Sequence, residues 1–294
     1  MTGSYTYTFE DIQNRPVAVI GAGTLGRRIA VMFASRGGTV RIGAPRAEQR
    51  AAAVQYVTET LPKVVADRGF GEVGGATAAG SLEEALDDAW LAVESVPEKL
   101  EIKIAAWDQI DQAASPGTIF ATNSSSFPSR LMAEQVRDKS RLCNVHFYMP
   151  PEVNGVDLMS DGETDRSLLD TLLTVLPEFG IHPFEARKEC TGFIFNRVWA
   201  AIKRESLAVV AEGVARPEDV DGLFKVNLGT AAGPFQMMDL VGLDVVLDIE
   251  NHYAEEFPHL PKHVRELLQS YVDAGKLGIK SGEGFYPYSS GALA

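Results

Sequence analysis

Three glycines after a short apolar stretch constrain the fold more than any other feature of this sequence. In the segment VAVIGAGTLG, Gly21, Gly23 and Gly26 stand directly after a predicted strand and at the start of a predicted helix. In that context Gly21 permits a tight turn, Gly23 lets a phosphate approach the backbone, and Gly26 lets the helix pack on the sheet. The free N–H groups at the start of such a helix attract anions. The segment predicts a dinucleotide-binding turn made of Gly21, Gly23, Thr24, Leu25 and Gly26, with a purely structural glycine-rich turn as the alternative.

Apolar stretches and helical patterns alternate over the first two thirds of the chain. The apolar stretches are VAVIG, TVRI, WLAVESV, TIFATN and LCNVHFY. Several of the segments that lie between consecutive stretches have helical periodicity. Repeated strand–helix units form a parallel sheet with helices on both faces. We therefore predict a Rossmann-type, doubly wound, mostly parallel α/β sheet. The glycine-rich segment 68–81 is expected to be a loop that ends where Ser81 and Glu84 cap the next helix.

The pattern changes after residue 187. Residues from Phe193 to Ala211 have the periodicity of one long helix, and helical segments without strand signals continue to about Ala274. We therefore predict two domains, a dinucleotide-binding domain at 1–187 and an all-helical domain for substrate binding and dimerisation at 188–294. The apolar segments of the helical domain exceed what a monomer of that size buries, so a homodimer is expected.

The charge of the chain limits its partners. A formal net charge of −13 and a pI near 4.9 disfavour nucleic acid and anionic membranes, which bind clustered Lys and Arg, so we expect a small-molecule substrate. No apolar segment approaches the roughly 18 residues of a membrane span, and the N-terminal segment lacks the apolar core of a signal peptide. A cytoplasmic location is therefore expected. Cys143 and Cys190 provide neither a disulfide framework nor a metal site, and we predict that both are buried.

The end of the second predicted strand bears on the identity of the dinucleotide. About twenty residues after the glycine motif, NAD-binding proteins place an acidic residue that binds the adenosine ribose and repels a 2′-phosphate. Ala44 occupies that position here and is followed by Pro45 and Arg46. Without the carboxylate there is no repulsion, and Arg46, helped by Arg50, can bind the phosphate. We therefore predict NADP(H) in preference to NAD(H); the alternative is that both arginines are solvated charges at the start of a surface helix.

Several segments resemble one known family over nearly the whole chain. In their order and spacing they are similar to the 3-hydroxyacyl-CoA dehydrogenases and their relatives acting on hydroxy acids such as gulonate and carnitine. ESVPEKLEIK is more similar to the hydroxy-acid branch. The resemblance implies a nicotinamide-dependent enzyme that acts on a CH–OH or carbonyl group. The segments are VIGAGTLGRRIA, VESVPEKLEIK, IFATNSSS, VHFYMPPEV, GFIFNRV, GPFQMMDLVGLD and GKLGIKSGEGFYPY.

The resemblance implies three catalytic residues. Ser125 matches the serine that holds the substrate oxygen, His146 the histidine that exchanges the hydroxyl proton, and Asn196 the asparagine near the nicotinamide and the substrate carbonyl. Hydride transfer to or from nicotinamide needs such a proton carrier, and polar groups stabilise the charge that develops on oxygen. The structural alternatives are local capping by Ser125 and Asn196 and a hydrogen-bonded core histidine at 146.

The resemblance also implies three further residues at the cofactor cleft. They are Glu94, Lys99 and Asn123. For Glu94 the alternative is a structural ion pair with Lys99 or Lys103.

One member of the catalytic set is absent at its expected position. Counting without gaps from His146 puts Leu158 where the family has the glutamate that orients the histidine, and Met149 replaces the usual asparagine. Asp157 is adjacent to Leu158, but neighbours on a strand face opposite ways, so we expect Asp157 to face away from His146 unless the strand slips or bulges. Without the carboxylate the histidine is a weaker base and, once protonated, a better acid. Met149 and Leu158 are expected to make the pocket more apolar.

These expectations favour reduction. The predicted activity is NADPH-dependent reduction of a carbonyl compound, with an imine reductase on the same scaffold or a non-catalytic nucleotide-binding protein as alternatives. A CoA substrate would need basic residues near the cleft, for which Lys63 and Arg68 are candidates unless they are solvated. No metal is predicted.

Overall fold

The computed structural model describes residues 5–288 of the chain. The described residues divide into two compact units, with the boundary between Ile194 and Phe195. The strands of the first unit are β1 (Val17–Ile20), β2 (Thr39–Gly43), β3 (Gly75–Ala78), β4 (Leu91–Glu94), β5 (Ile119–Thr122), β6 (Leu142–Met149), β7 (Val153–Met159) and β8 (His182–Ala186). Its helices are α1 (Phe9–Ile12), α2 (Thr24–Ala34), α3 (Ala47–Arg68), α4 (Leu82–Leu86), α5 (Leu100–Ala113) and α6 (Arg166–Val175).

All eight strands of the first unit belong to one sheet. Their order across the sheet is β3-β2-β1-β4-β5-β6-β7-β8. The first six strands in this order are parallel to one another, and β7 is antiparallel to β6. β8 is parallel to β7. The prediction of a Rossmann-type, doubly wound and mostly parallel sheet followed by an all-helical region is therefore confirmed.

The glycine-rich segment at 68–81 contains a strand, so the expectation that it is only a loop was wrong. β3 pairs in parallel with β2 at the edge of the sheet, from Gly75 opposite Thr39 to Ala78 opposite Ile42. An edge strand of small, partly exposed residues has neither an apolar face nor β-branched enrichment, so its sequence has little strand signal. The Ser81 half of the predicted capping box forms, since Ser81 Oγ accepts from the N–H of Glu84. The Glu84 carboxylate accepts from the N–H of Gly80 and not from that of Ser81.

The central strands are buried on both faces, as expected for a parallel sheet between helices. Every residue of β1, β4 and β5 is buried. One apolar layer contains Phe33, Trp90 and Phe179, and the layer on the other face contains Trp107 and Phe120. This packing fixes the carboxyl ends of the strands as one rigid edge.

The second unit consists of helices α7 (Phe195–Ala211), α8 (Pro217–Leu228), α9 (Pro234–Val241), α10 (Leu243–Glu256) and α11 (Lys262–Asp273). Short 3₁₀ turns occur across both units, at Ser129–Leu131, Ala133–Gln135, Lys139–Arg141, Leu176–Phe179 and Ile279–Ser281. Within residues 5–288 no helix combines the length and apolarity that crossing a bilayer requires.

The C-terminal glycines of the second unit belong to a turn-rich segment fixed by a buried carboxylate. Asp239 accepts hydrogen bonds from the N–H groups of Phe285 and Tyr286 and from the hydroxyl of Tyr288. A Cβ at Gly284 would lie 2.1 Å from Asp239 Oδ1. Glycine at this position is required by packing.

The two cysteines are free thiols in different surroundings. Cys143 lies in the core, where burial raises the pKa of its thiol. Cys190 is only partly buried, against a small cluster that includes Met159 and Phe193. The prediction that both cysteines are buried is therefore confirmed for Cys143 and wrong for Cys190, which is only partly buried.

Candidate active site

A cleft of about 760 Å³ lies within the first unit, at the carboxyl ends of its parallel strands. Ligands bind at this edge in open α/β sheets because the loops that follow the strands converge there. The sequence-predicted residues that line it are Gly21, Gly23, Thr24, Leu25, Ala44, Arg46, Asn123, Ser125 and His146.

The glycine turn is built for close approach of a ligand. A Cβ at Gly21 would lie 2.2 Å from the carbonyl oxygen of Ser95, and a Cβ at Gly26 would lie 1.8 Å from that of Gly21. Gly23 differs, because nothing lies within 4 Å of the position its Cβ would take. The space beside Gly23 is open cleft, and no side chain caps α2, which begins at Thr24. The turn therefore fits a pyrophosphate, and Gly26 serves helix packing without lining the cleft.

The loop after β2 presents one arginine to the cleft. Ala44 and Arg46 line the wall, and Arg46 is exposed. Arg50 turns back instead, and its guanidinium donates to the carbonyl oxygens of Ala44 and Pro45. Arg50 thus holds the loop, and of these two arginines it is Arg46 that lines the cleft.

Glu94, at the end of β4, is fully buried and is not among the residues that line the cleft. Lys103 Nζ donates to its Oε1 at 2.9 Å, and the hydroxyl of Thr122 donates to its Oε2 at 2.7 Å. The N–H of Val96 also donates to Oε1, at 2.8 Å. A buried carboxylate needs such compensation, since an unpaired charge would be strongly destabilising. The structure therefore has the ion pair with Lys103 that the sequence left open.

Glu98 extends this network to the serine loop. Its Oε2 lies 3.1 Å from Lys103 Nζ, and its Oε1 accepts from Ser124 Oγ at 2.6 Å. The N–H groups of Ser125 and Ser126 donate to the same Oε1, at 3.0 and 2.9 Å. Glu98 thus fixes the backbone that presents Ser125 to the cleft, and Ser125 does not cap a helix.

Glu98 was not predicted as a site residue, because its signal in the sequence is weak. It is the glutamate four residues after Glu94 in the segment ESVPEKLEIK, and Lys103 follows five residues further on. Burial raises the pKa of its carboxyl, but the hydrogen bond from Ser124 and the Lys103 ammonium outweigh that effect, so the pKa lies below its usual value.

Asn123 connects the serine loop to the strand that bears the histidine. Its N–H donates to the carbonyl of Glu94 at 2.9 Å, which continues the β4–β5 ladder. Its Oδ1 accepts from the N–H of Phe147 at 2.9 Å. The backbone next to His146 is therefore held by a residue of the cleft.

His146 lies on β6 with its imidazole packed between two aromatic rings. The Phe193 ring is stacked on it, with centroids 5.0 Å apart and planes at 11°, and the Tyr148 ring meets it edge-on at 4.7 Å. Phe193 has a φ of +53°, a left-handed conformation that costs a non-glycine residue about 1 to 2 kcal/mol. Burial and stacking of the ring offset this cost.

Asp157 faces His146, so the expectation that it faces away was wrong. The two residues are direct partners across the antiparallel β6–β7 pair, and side chains that are directly opposite share one face. Asp157 Oδ2 lies 3.6 Å from His146 Nδ1, and both side chains are more than nine-tenths buried. The register shifts between Phe147 and Met149, a bulge that an ungapped count cannot detect.

Leu158 consequently takes no part in the cleft. It pairs with Val145 on the opposite face and is completely buried in the main apolar core. Met149 is exposed and is not among the residues that line the cleft. The expectation that these two side chains make the pocket more apolar was therefore wrong, because both point elsewhere.

Other sequence candidates also lie away from the cleft lining, among them Lys63, which is exposed on α3. Lys99 is exposed at the start of α5. Asn196 is in the first turn of α7, in the second unit. Arg68, considered for CoA phosphates, donates to Ser35 Oγ and to the carbonyl of Phe179, so its guanidinium has a structural role.

Comparison with protein families decides the classification. The model described as 3-hydroxyacyl-CoA dehydrogenase, NAD binding domain, matches residues 16–190, and the model of the C-terminal domain of the same enzyme matches residues 192–288. The chain belongs to the 3-hydroxyacyl-CoA dehydrogenase family. It is accordingly an oxidoreductase with a nicotinamide cofactor, acting on CH–OH groups or the corresponding carbonyls.

Individual relatives agree with this assignment. A probable 3-hydroxyacyl-CoA dehydrogenase of Caenorhabditis elegans is 31% identical over 92% of this chain and 92% of its own length. A 3-hydroxyacyl-CoA dehydrogenase-like protein of Cochliobolus heterostrophus is 47% identical, but the match covers 53% of this chain and only 34% of that protein. The crystal structure of (S)-3-hydroxybutyryl-CoA dehydrogenase from Ralstonia eutropha superimposes with a TM-score of 0.84, at 26% identity, over 94% of this chain and 100% of that one.

Replacing Glu98 with Gln should destabilise the first unit in a pH-dependent way. At pH 7 we expect the free energy of unfolding to fall by roughly 1 kcal/mol, since the partly exposed ion pair with Lys103 and charge-assisted hydrogen bonds are weakened. The folded pKa is lowered, so the stabilisation is present above the unfolded value of about 4.3 and is lost as the pH falls through the folded pKa. Urea unfolding between pH 7 and pH 3 measures this. Glu101→Gln, exposed in the first turn of α5, is the control, and a difference from wild type that stays constant with pH contradicts the assignment.

Replacing Leu158 with Glu should unfold the protein rather than repair the catalytic set. A carboxylate at this position enters the apolar core, which we expect to cost about 3 kcal/mol or more. Thermal unfolding measures the loss, with Leu158→Met as a volume-matched control. A stable Leu158→Glu variant with raised activity would mean that Leu158, and not Asp157, faces His146.

Proposed function

We propose that this member of the family is an NADPH-preferring reductase of 3-keto compounds, with His146 supplying the proton. The observation that carries the proposal is the single cleft that holds the glycine turn and Arg46 together with Ser125 and His146. When bound, the nicotinamide supplies the hydride. The alternative of an imine substrate is retained as one arm of the experiment.

The chain's own residues divide the work between binding and proton transfer. The N–H groups of the glycine turn bind the pyrophosphate, and Arg46 binds the 2′-phosphate. His146 gives its proton to the carbonyl oxygen, and the hydroxyl of Ser125 donates a hydrogen bond to the same oxygen as charge develops there. We further propose, in keeping with the resemblance, that Asn196 acts as the asparagine near the nicotinamide and the substrate carbonyl.

The structure removes one of the two reasons to expect reduction and leaves the other in place. A missing carboxylate beside His146 would have favoured reduction, but Asp157 supplies a carboxylate at that position. Reduction is supported by the predicted cofactor, because Ala44 removes the repulsion of a 2′-phosphate and Arg46 adds attraction. NADPH is the common donor for reductive reactions.

Turnover on a substrate panel tests the activity. NADPH oxidation is measured with β-keto acids, β-ketoacyl-CoA thioesters, simple ketones and cyclic imines, each with an NADH control. We expect turnover with a β-keto compound and a loss of at least about 100-fold in His146→Ala, since proton transfer by a positioned side chain contributes that much. His182→Ala, at an exposed histidine on β8, is the matched control. Absence of turnover with every class, or full activity of His146→Ala, contradicts the proposal.

Ala44→Asp should reverse the cofactor preference. The new carboxylate repels the 2′-phosphate and can accept from the ribose hydroxyls, so we expect the Kd for NADPH to rise at least about tenfold while that for NADH falls. Fluorescence titration with both cofactors measures the change. Ala51→Asp, exposed on α3 outside the cleft, adds the same charge as a control. Wild-type binding of NADH as tight as that of NADPH contradicts the predicted preference.

We also propose that the protein forms a homodimer through its helical unit. Among large hydrophobic side chains of residues 5–288, the five most exposed all lie in this unit, with exposures from 63% to 82%. Leu223 and Val226 are three residues apart on α8 and so lie on the same side of that helix. An apolar surface of this kind is typical of an association surface. The five residues are Val214, Leu223, Val226, Leu228 and Leu240.

The double variant Leu223→Asp, Val226→Asp should be a monomer. Two carboxylates that lose their water at a dimer interface oppose association. On a helix that stays exposed to solvent, the same two carboxylates change the stability of the monomer little. Sedimentation equilibrium of wild type and variant measures the mass. The double variant Ala51→Asp, Ala52→Asp, which adds two charges to exposed positions of α3 in the first unit, should remain dimeric. A monomeric wild type would remove the proposal.

A further inference from the structure

Tyr148 places a hydroxyl between the histidine and the carboxylate at the end of β6. It lies two residues after His146, lines the same cleft, and packs edge-on against the imidazole with centroids 4.7 Å apart. Its hydroxyl donates a hydrogen bond to Asp157 Oδ2. This is the same oxygen that lies 3.6 Å from His146 Nδ1. Tyr148 and His146 therefore compete for one carboxylate oxygen.

The tyrosine occupies that oxygen and the histidine does not. A separation of 3.6 Å is too long for a hydrogen bond. Within the described residues His146 Nδ1 is buried and has no hydrogen-bond partner. The other oxygen, Asp157 Oδ1, accepts from the N–H of Ile194 at 3.4 Å. Both oxygens of Asp157 thus have donors, and neither donor is the imidazole.

A buried ring nitrogen without a hydrogen-bond partner destabilises the folded protein. A hydrogen bond between His146 Nδ1 and Asp157 would therefore give a more stable site. A phenylalanine at position 148 would keep the ring contact and release the carboxylate. The hydroxyl is the group of Tyr148 that donates to the carboxylate oxygen facing His146 Nδ1. Its presence has a consequence for the chemistry of the imidazole.

We propose that Tyr148 is a positioning residue that sets the tautomer of His146 through Asp157. This inference rests on the proposed function in taking His146 as the proton-transfer group. A carboxylate that accepts from Nδ1–H fixes the neutral imidazole with its lone pair on Nε2. While Asp157 is held by the Tyr148 hydroxyl, this bond is not made, and the Nε2–H tautomer gains population. Removing the hydroxyl frees Oδ2 to close on Nδ1.

The test measures the tautomer ratio of the His146 imidazole in the cofactor-free protein. In protein labelled with ¹⁵N-histidine, the Nδ1 and Nε2 shifts report the two tautomers, and His146→Gln identifies the signals of His146. We expect Tyr148→Phe to raise the ratio of the Nδ1–H to the Nε2–H tautomer about tenfold, the effect of one charge-assisted hydrogen bond. Tyr5→Phe is the matched control, because the Tyr5 hydroxyl donates to Asp138 Oδ2 at 2.7 Å. It should leave the His146 signals unchanged.

A double-mutant cycle separates action through Asp157 from any direct effect. In the background of Asp157→Asn, Tyr148→Phe should leave the tautomer ratio unchanged, since the carboxylate that both groups share is absent. An unchanged ratio in Tyr148→Phe alone, or an equal shift in both backgrounds, overturns the proposal. The substrate panel tests the proposed function independently of this result, because the ¹⁵N resonances are measured without substrate turnover.

Discussion

The buried carboxylate of Glu94 is the interaction on which the arrangement of the cleft depends. A charge at the end of a central strand must be neutralised, and Lys103 on α5 does this at 2.9 Å. The requirement fixes α5 against β4. It also brings Glu98 within 3.1 Å of the same ammonium. Because Glu98 in turn holds three groups of the serine loop, one buried ion pair determines where Ser125 stands relative to the sheet.

The second constraint is the hairpin between β6 and β7. A bulge after Phe147 changes the register and places Asp157 opposite His146, while Leu158 turns into the core. The same bulge places Tyr148 against the carboxylate. The site is therefore a triad of imidazole, carboxylate and phenol whose protons are distributed by competition for one oxygen. Family membership alone does not imply this arrangement.

Phe193 closes the other side of the imidazole. Its left-handed backbone is one of two such non-glycine conformations among the described residues, the other being Asp88. Strain at a residue stacked on the proposed proton carrier is consistent with a functional constraint, since strained backbones persist where the surroundings determine them. The ring limits rotation of the imidazole and shields it from solvent. Together with Tyr148 it defines the plane in which His146 presents its nitrogens.

The sequence by itself determined the fold class, the family, the glycine turn and the positions of Ser125, Asn123 and His146 along the cleft. These depend on local patterns, because periodicity, turn chemistry and motif spacing are properties of neighbouring residues. The strand β3 was missed because an edge strand of four small residues, Gly75–Ala78, has no such pattern. Only the tertiary structure decided that Asp157 rather than Leu158 meets the histidine, that Glu98 holds the serine loop, and that Arg50 is engaged by its own loop. Each of these depends on register or on contacts between distant segments, and a single bulge reverses which side chain faces the site.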